Sequence, residues 1–119
     1  MTMGGLEDLD PKTVAEQLKA GEIILIDVRE PREYGHERIH GALLHPLSTL
    51  EPSSMPVDGK RRVVLHCAAG RRSAMAAMRC QDAGFNVDAH MAGGPGAWKA
   101  AGLPIIEIDP ETGNIVSPG

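Results

Sequence analysis

Hydrophobic residues along this chain fall into two patterns, continuous aliphatic runs and runs with helical spacing. The continuous runs, residues 23–28 and 62–66, favour strands that are covered on both faces, as in a parallel sheet. Residues 42–45 and 87–91 have the pattern of further short strands. Because helical patterns or turns separate these runs, the chain is predicted to form an α/β sandwich with a mostly parallel sheet.

The first helix is predicted over residues 11–20. Asp10 can cap its N-terminus, and Val14 and Leu18 lie on one face of it. A short final helix is predicted around Trp98, because a proline and a glycine bracket that segment.

A longer helix is predicted over residues 71–83, which are rich in Ala, Met and Arg. Ala74, Met75, Ala77 and Met78 are expected to form its buried face, since they combine apolar side chains with helical spacing. The helix begins shortly after the strand over residues 62–66, so the segment between them joins a strand end to a helix start.

Length and charge limit the possible functions. A chain of 119 residues, 42% hydrophobic and 24% charged, fits one globular domain. Its formal net charge of -4 argues against nucleic-acid binding and against an acidic membrane surface. The acidic N-terminus does not resemble a secretory signal, and no apolar run is long enough to span a membrane, so the cytoplasm is the expected location.

The chain has two cysteines, Cys67 and Cys80, and both are expected to be free thiols in that compartment. Cys67 stands at the predicted carboxyl end of a buried strand, the edge at which α/β sheets bind ligands. Backbone N–H groups at the following helix start, together with Arg71 and Arg72, favour thiolate over thiol. We therefore expect a nucleophile with a pKa below about 8.5, rather than a small buried apolar residue.

Three segments resemble signatures of the rhodanese, or thiosulfate sulfurtransferase, family. The first is residues 26–31 with Glu33 and Tyr34, the second is residues 67–73, and the third runs from Gly93 through Trp98 to residue 104. The chain departs from the family where members often read Gly-His-Ile-Pro-Gly-Ala, because residues 37–42 are Glu-Arg-Ile-His-Gly-Ala. This departure affects turn geometry rather than the nucleophile.

The resemblance implies a rhodanese-like three-layer sandwich, with a five-stranded sheet and helices on both faces. It extends over residues 6–106, which leaves residues 107–119 as a tail that forms a short hairpin or is disordered.

The resemblance also implies that Cys67 carries sulfane sulfur from a small anionic donor to a thiol, cyanide or protein acceptor, with no cofactor. The segment that would bind the donor consists of Ala68, Ala69, Gly70, Arg71 and Arg72. Asp27, Arg29 and Ser73 would support it, although a structural ion pair is the favoured interpretation of Asp27 and Arg29.

Three other functions remain open. A phosphatase or arsenate reductase also places a cysteine before a helix, but the phosphatase pattern has one more residue before its arginine than the four between Cys67 and Arg72. The shorter loop suits a single sulfur atom better than a tetrahedral phosphate. The domain could instead relay sulfur to a partner protein, or serve as a regulatory module without chemistry, although such modules commonly lose the cysteine.

The histidines give weaker indications of function than the cysteine does. His36, His40 and His45 suggest a metal site, but Gly41 breaks a helix there and no Cys or acidic cluster completes a ligand set, so no metal is predicted. His66 precedes the candidate nucleophile and should point to the opposite face of the strand.

Overall fold

A computed structural model describes residues 5–116 of the chain. The helices are α1 (Pro11–Lys19), α2 (Pro31–His36), α3 (Arg71–Asp82) and α4 (Gly94–Ala100). The strands are β1 (Glu7–Asp8), β2 (Ile23–Asp27), β3 (Glu37–Arg38), β4 (Leu43–Leu44), β5 (Arg62–His66), β6 (Ala89–Met91) and β7 (Ile106–Glu107). Short 3₁₀ helices lie at Leu47–Thr49 and Pro52–Ser54.

The main sheet contains five strands in the order β1-β6-β5-β2-β4, and every neighbouring pair is parallel. The prediction of an α/β fold with a mostly parallel sheet is confirmed, and the sheet is in fact wholly parallel. β2 and β5 pair along their full length, from Ile23 opposite Arg62 to Asp27 opposite His66. The two central strands therefore end side by side.

Helices cover both faces of this sheet, as predicted. On one face, Val14 of α1 and Trp98 of α4 pack with Leu25 and Val64 from the central strands. On the other face, α3 packs against the alternate residues of the same strands. This second cluster includes residues of β5, the cysteine that follows β5, and residues of α3. They are Val63, Leu65, Cys67, Ala76, Ala77 and Cys80.

The expectation that Met75 and Met78 are buried is wrong. Their exposed fractions are 50% and 51%, and the buried positions of α3 are instead Ser73, Ala76, Ala77 and Cys80. These four recur at the spacing of one helix face, and their small side chains let α3 approach the sheet closely. Only Ala77 of the expected buried set lies fully on this face.

Four short elements were not predicted: β1, α2, and the strands β3 and β7, which form an antiparallel pair. Each is too short to give a hydrophobic period. α2 begins with a capping box in which the Glu30 backbone N–H donates to the Glu33 carboxylate at 3.0 Å.

Beyond β7, Ile108 forms an antiparallel bridge with Ile115, and the backbone N–H of Asp109 donates to the Asn114 carbonyl at 2.8 Å. Within residues 5–116, no helix combines the length and the apolar character that crossing a bilayer requires.

The close approach of α3 to the sheet can be tested with a matched pair of substitutions. Ala77→Met inserts extra volume into a closed interface and should lower the free energy of unfolding by roughly 1–3 kcal/mol. Met78→Ala removes a half-exposed side chain and should change it by less than about 0.5 kcal/mol. Urea unfolding followed by circular dichroism measures both. Equal losses would mean that α3 buries a different face.

Candidate active site

Cys67 lies directly after β5, at the carboxyl end of the parallel sheet. Only 1% of its surface is exposed, yet it borders a surface cavity of about 350 Å³. The cavity is lined by the loop after β5 and the start of α3, namely Cys67, Ala68, Ala69, Arg71, Arg72 and Met75. Such limited exposure means that only a small or terminal group can reach the sulfur.

Backbone N–H groups converge on Cys67 Sγ. The amide of Gly70 donates to the sulfur at 3.1 Å, and that of Ser73 donates at 3.4 Å. Both amides stand at the start of α3, where N–H groups have no partner within the helix. Burial raises the pKa of the Cys67 thiol, but hydrogen bonds from Ser73 and the loop amides outweigh burial and hold this pKa below its ordinary value.

Two glycines give the loop its shape. Gly70 precedes α3 with a φ of 94°, and a Cβ on it would lie 3.1 Å from the Cβ of Ala92. Gly94 has a φ of +58°, and its Cβ would lie 2.0 Å from the Cys67 carbonyl oxygen and 3.0 Å from that of Ala68. The turn that begins α4 therefore packs directly against the backbone of the loop, a contact that the sequence did not reveal.

The two predicted arginines have different surroundings. Arg72 forms a bidentate pair with Glu33 of α2, with Nη1 and Nη2 at 2.6 and 3.0 Å from the two carboxylate oxygens. The hydrogen bonds from Arg72 lower the pKa of Glu33 to about 2, so this pair persists at neutral pH. Arg71 is exposed and, within residues 5–116, forms no ion pair. Arg71 is thus the better placed of the two to meet an anion.

Asp27 and Arg29 form a buried ion pair rather than part of the cavity wall. Arg29 Nη2 lies 2.7 Å from Asp27 Oδ2 and also donates to the Glu37 carbonyl at 2.6 Å. His66 faces away from Cys67, as the strand alternation predicted, and its Nε2 lies 3.6 Å from Asp27 Oδ2. These contacts tie the end of β2 to the end of β5, and any effect of them on the site remains a prediction.

One residue close to the site was missed by the sequence analysis. His90 of β6 lies with its Nδ1 2.8 Å from Ser73 Oγ, and that hydroxyl is 3.6 Å from Cys67 Sγ. Ala89 and Met91, on either side of His90, belong to the core cluster that packs against α1 and α4. Because side chains alternate along a strand, His90 points to the other face of the sheet, where α3 lies. In the sequence, this single polar residue between two apolar residues of a predicted strand was the available indication that His90 lies on the same face of the sheet as Cys67.

Cys80 lies fully buried in the core, and burial raises the pKa of its thiol. Among residues 5–116, no group of three or more His, Cys, Asp and Glu side chains is arranged to hold a metal ion.

Comparison with known proteins shows the family. Residues 10–101 match the Rhodanese-like domain, and the chain belongs to this family. An uncharacterized protein of Synechocystis is 40% identical over 97 residues, which cover 82% of this chain and 54% of that protein. The chain thus spans about half the length of this relative. Thiosulfate sulfurtransferase GlpE of Coxiella burnetii is 31% identical over 85 residues, covering 71% of this chain and 79% of that protein.

Solved structures agree with this family. A rhodanese-related protein from Thermoplasma volcanium has a TM-score of 0.70 at 27% identity, covering 83% of this chain and 96% of that one. A protein of unknown function from Rhodopseudomonas palustris, described as a possible tyrosine phosphatase, has a TM-score of 0.70 at 32% identity, with 84% of each chain covered. The sequence match and the solved structures thus agree on the Rhodanese-like domain family.

The contact between Gly94 and the Cys67 carbonyl gives a second test. Gly94→Ala places a Cβ against a backbone oxygen at a positive φ and should lower the free energy of unfolding by more than about 1–2 kcal/mol. We also expect slower alkylation of Cys67, because the loop must move. Gly96→Ala is the matched control, since nothing lies within 4 Å of its Cβ position. If the two variants behave alike, the contact has no role in shaping the loop.

Proposed function

We propose that this protein transfers sulfane sulfur through a persulfide on Cys67, with thiosulfate or a related small anion as the donor. The observation that carries this proposal is the convergence of the Gly70 and Ser73 amides on a sulfur with a lowered pKa. A thiolate is the nucleophile that such chemistry requires, and the amides remain in place to stabilise the charge of a persulfide.

The transfer proceeds in two displacement steps. The Cys67 thiolate attacks the outer sulfur of thiosulfate, a new sulfur–sulfur bond forms, and the old one breaks so that sulfite leaves with its electron pair. A thiol, cyanide or protein acceptor then attacks the outer sulfur of the persulfide. The Cys67 thiolate departs with the electron pair and is restored. No redox cofactor is needed, because each bond that forms replaces one that breaks.

The size and charge of the cavity support a small anionic donor. With 1% of its surface exposed, Cys67 can be approached by the terminal sulfur of a donor more readily than by a bulky centre. Arg71 borders the cavity, and its charge favours an anion at the entrance. The relative from Coxiella burnetii is named for thiosulfate, which agrees with this donor.

A phosphatase activity is the less favoured alternative. It draws on the description of the Rhodopseudomonas palustris protein, but the loop here keeps only four residues between Cys67 and Arg72. Arg72 is also held by Glu33, and a carboxylate beside that guanidinium opposes the binding of a phosphate there. These two features favour sulfur transfer over phosphoryl transfer.

A sulfur relay to a partner protein is favoured by a specific observation. Met75 borders the cavity, and both Met75 and Met78 expose about half of their surface on the same helix. Flexible methionine side chains suit adaptable protein contacts. Transfer that is slow to small thiols and fast to one protein acceptor would identify this function.

Persulfide formation is tested by incubating the reduced protein with thiosulfate and measuring its intact mass. We expect one added sulfur in the wild type and in Cys80→Ser, and none in Cys67→Ser. Thiosulfate:cyanide transfer should follow the same order. A wild-type protein that takes up no sulfur but hydrolyses an arylphosphate would overturn the proposal in favour of a phosphatase.

The role of Arg71 is tested by donor affinity. Arg71→Gln removes an exposed charge at the cavity and should raise the KM for thiosulfate roughly threefold to fivefold, with kcat little changed. Arg79→Gln removes a charge from the same helix away from the cavity and serves as the control. Because exposed charges are screened, added salt should reduce the difference between Arg71→Gln and the wild type. A KM that is equal in all three proteins would contradict donor binding by Arg71.

A further inference from the structure

The hydroxyl of Ser73 stands between two titratable groups. Its Oγ lies 3.6 Å from Cys67 Sγ and 2.8 Å from His90 Nδ1, and the Gly70 carbonyl accepts from it at 3.2 Å. Ser73 is fully buried, and His90 exposes only 8% of its surface. A hydroxyl has one proton to donate, so the Gly70 carbonyl, an unprotonated His90 Nδ1 and a Cys67 thiolate compete for it.

Two of the possible proton arrangements connect Cys67 to His90 through the Ser73 hydroxyl. When Cys67 is a thiol, S–H donates to Ser73 Oγ, whose own proton is donated to an unprotonated His90 Nδ1. When Cys67 is a thiolate, the Ser73 hydroxyl donates to the sulfur, and its oxygen can then accept from a proton on His90 Nδ1. In both arrangements the short contact between Ser73 and His90 is a hydrogen bond, with its direction reversed.

We propose that His90 is a positioning residue which acts through Ser73 to stabilise the Cys67 thiolate and to remove its proton. The proposal rests on the proposed role of Cys67 as the nucleophile. Ser73 contacts the reacting sulfur directly, whereas His90 orients the serine proton towards it. The acceptor role of the Gly70 carbonyl would otherwise draw that proton away from the sulfur.

The proton balance of the step is simple. The thiol proton passes to Ser73 Oγ while the serine proton passes to His90 Nδ1, which leaves a thiolate, a neutral serine and an imidazolium. His90 then releases the proton on Nε2 to water through the exposed part of its ring. The result is a thiolate that accepts from Ser73, and a neutral imidazole protonated on Nδ1.

The surroundings of His90 favour a neutral imidazole between transfers. Asp8 of β1 is its cross-strand neighbour, and the other groups that meet it are Ser73 from α3 and, through that serine, Cys67 after β5. Burial lowers the pKa of His90 and outweighs the charge of Asp8, which raises it. The Asp8 carboxylate also accepts from the Ala92 N–H at 2.9 Å, so part of its charge is already engaged. A neutral imidazole can take the tautomer with a proton on Nε2 and a free Nδ1, which the thiol form requires.

The experiment measures the thiolate without any sulfur donor. The rate of Cys67 alkylation by iodoacetamide is followed against pH, with peptide mapping to separate Cys67 from Cys80. Ser73→Ala should raise the midpoint of this profile by roughly one pH unit, since it deletes a hydrogen bond to the charged sulfur. His90→Phe should raise this midpoint by about half a pH unit, because the Ser73 hydroxyl loses its hydrogen bond with His90 and becomes a weaker donor to the sulfur.

Two further variants separate this effect from a structural one. His90→Asn keeps a donor near the position of Nδ1 and should return the midpoint close to that of the wild type. The double variant of Ser73→Ala with His90→Phe should titrate like Ser73→Ala alone, because histidine acts only through the serine. His36→Phe, at an exposed histidine, is the control and should leave the profile unchanged. Circular dichroism establishes that each variant is folded.

The outcomes distinguish this proposal from the proposed function. If His90→Phe titrates like the wild type, or if its effect adds fully to that of Ser73→Ala, the hydrogen-bond chain is wrong even where sulfur transfer is intact. If His90→Phe does not fold, an unchanged midpoint in Ser73→Ala would equally overturn it. If the variants titrate as expected but the wild type takes no sulfur from thiosulfate, the proposed role of His90 is supported and the proposed function is wrong.

Discussion

The parallel pairing of β2 with β5 determines where the candidate nucleophile lies. Because the two strands run in register to Asp27 and His66, their carboxyl ends form one edge, and Cys67 emerges at it. The buried ion pair of Asp27 and Arg29 lies at the end of β2. Side-chain alternation then sends Cys67 towards α3 and His66 away from it. The position of the sulfur is thus a consequence of sheet pairing rather than of the loop alone.

Two opposing effects act on that sulfur. Burial against α3 disfavours a charged thiolate, whereas hydrogen bonds from the Ser73 hydroxyl and from the amides at the start of α3 favour it, and together these hydrogen bonds prevail. The small residues on the buried face of α3 make both effects possible, since they bring the helix start close to the sheet. A bulkier face would move the amides of Gly70 and Ser73 away from Sγ. Packing and reactivity therefore depend on the same interface.

The main features of the fold and the candidate nucleophile could be predicted from the sequence, because long aliphatic runs and a Cys-to-helix junction are strong local signals. The buried face of α3 could not, since the larger apolar side chains of Met75 and Met78 masked a face built from Ala, Ser and Cys. β1 lacks apolar residues altogether. His90 was missed for a different reason: its relation to Ser73 depends on two segments that meet only when β6 pairs with β5.

The contact of Gly94 with the Cys67 carbonyl also restricts how this domain can change. A longer loop, of the kind that would enclose a larger anion, would push its backbone into the turn before α4. An insertion in the loop is therefore tolerated only with a compensating change in a segment far away along the chain. The length of the active-site loop and the geometry of the turn at Gly94 therefore constrain each other.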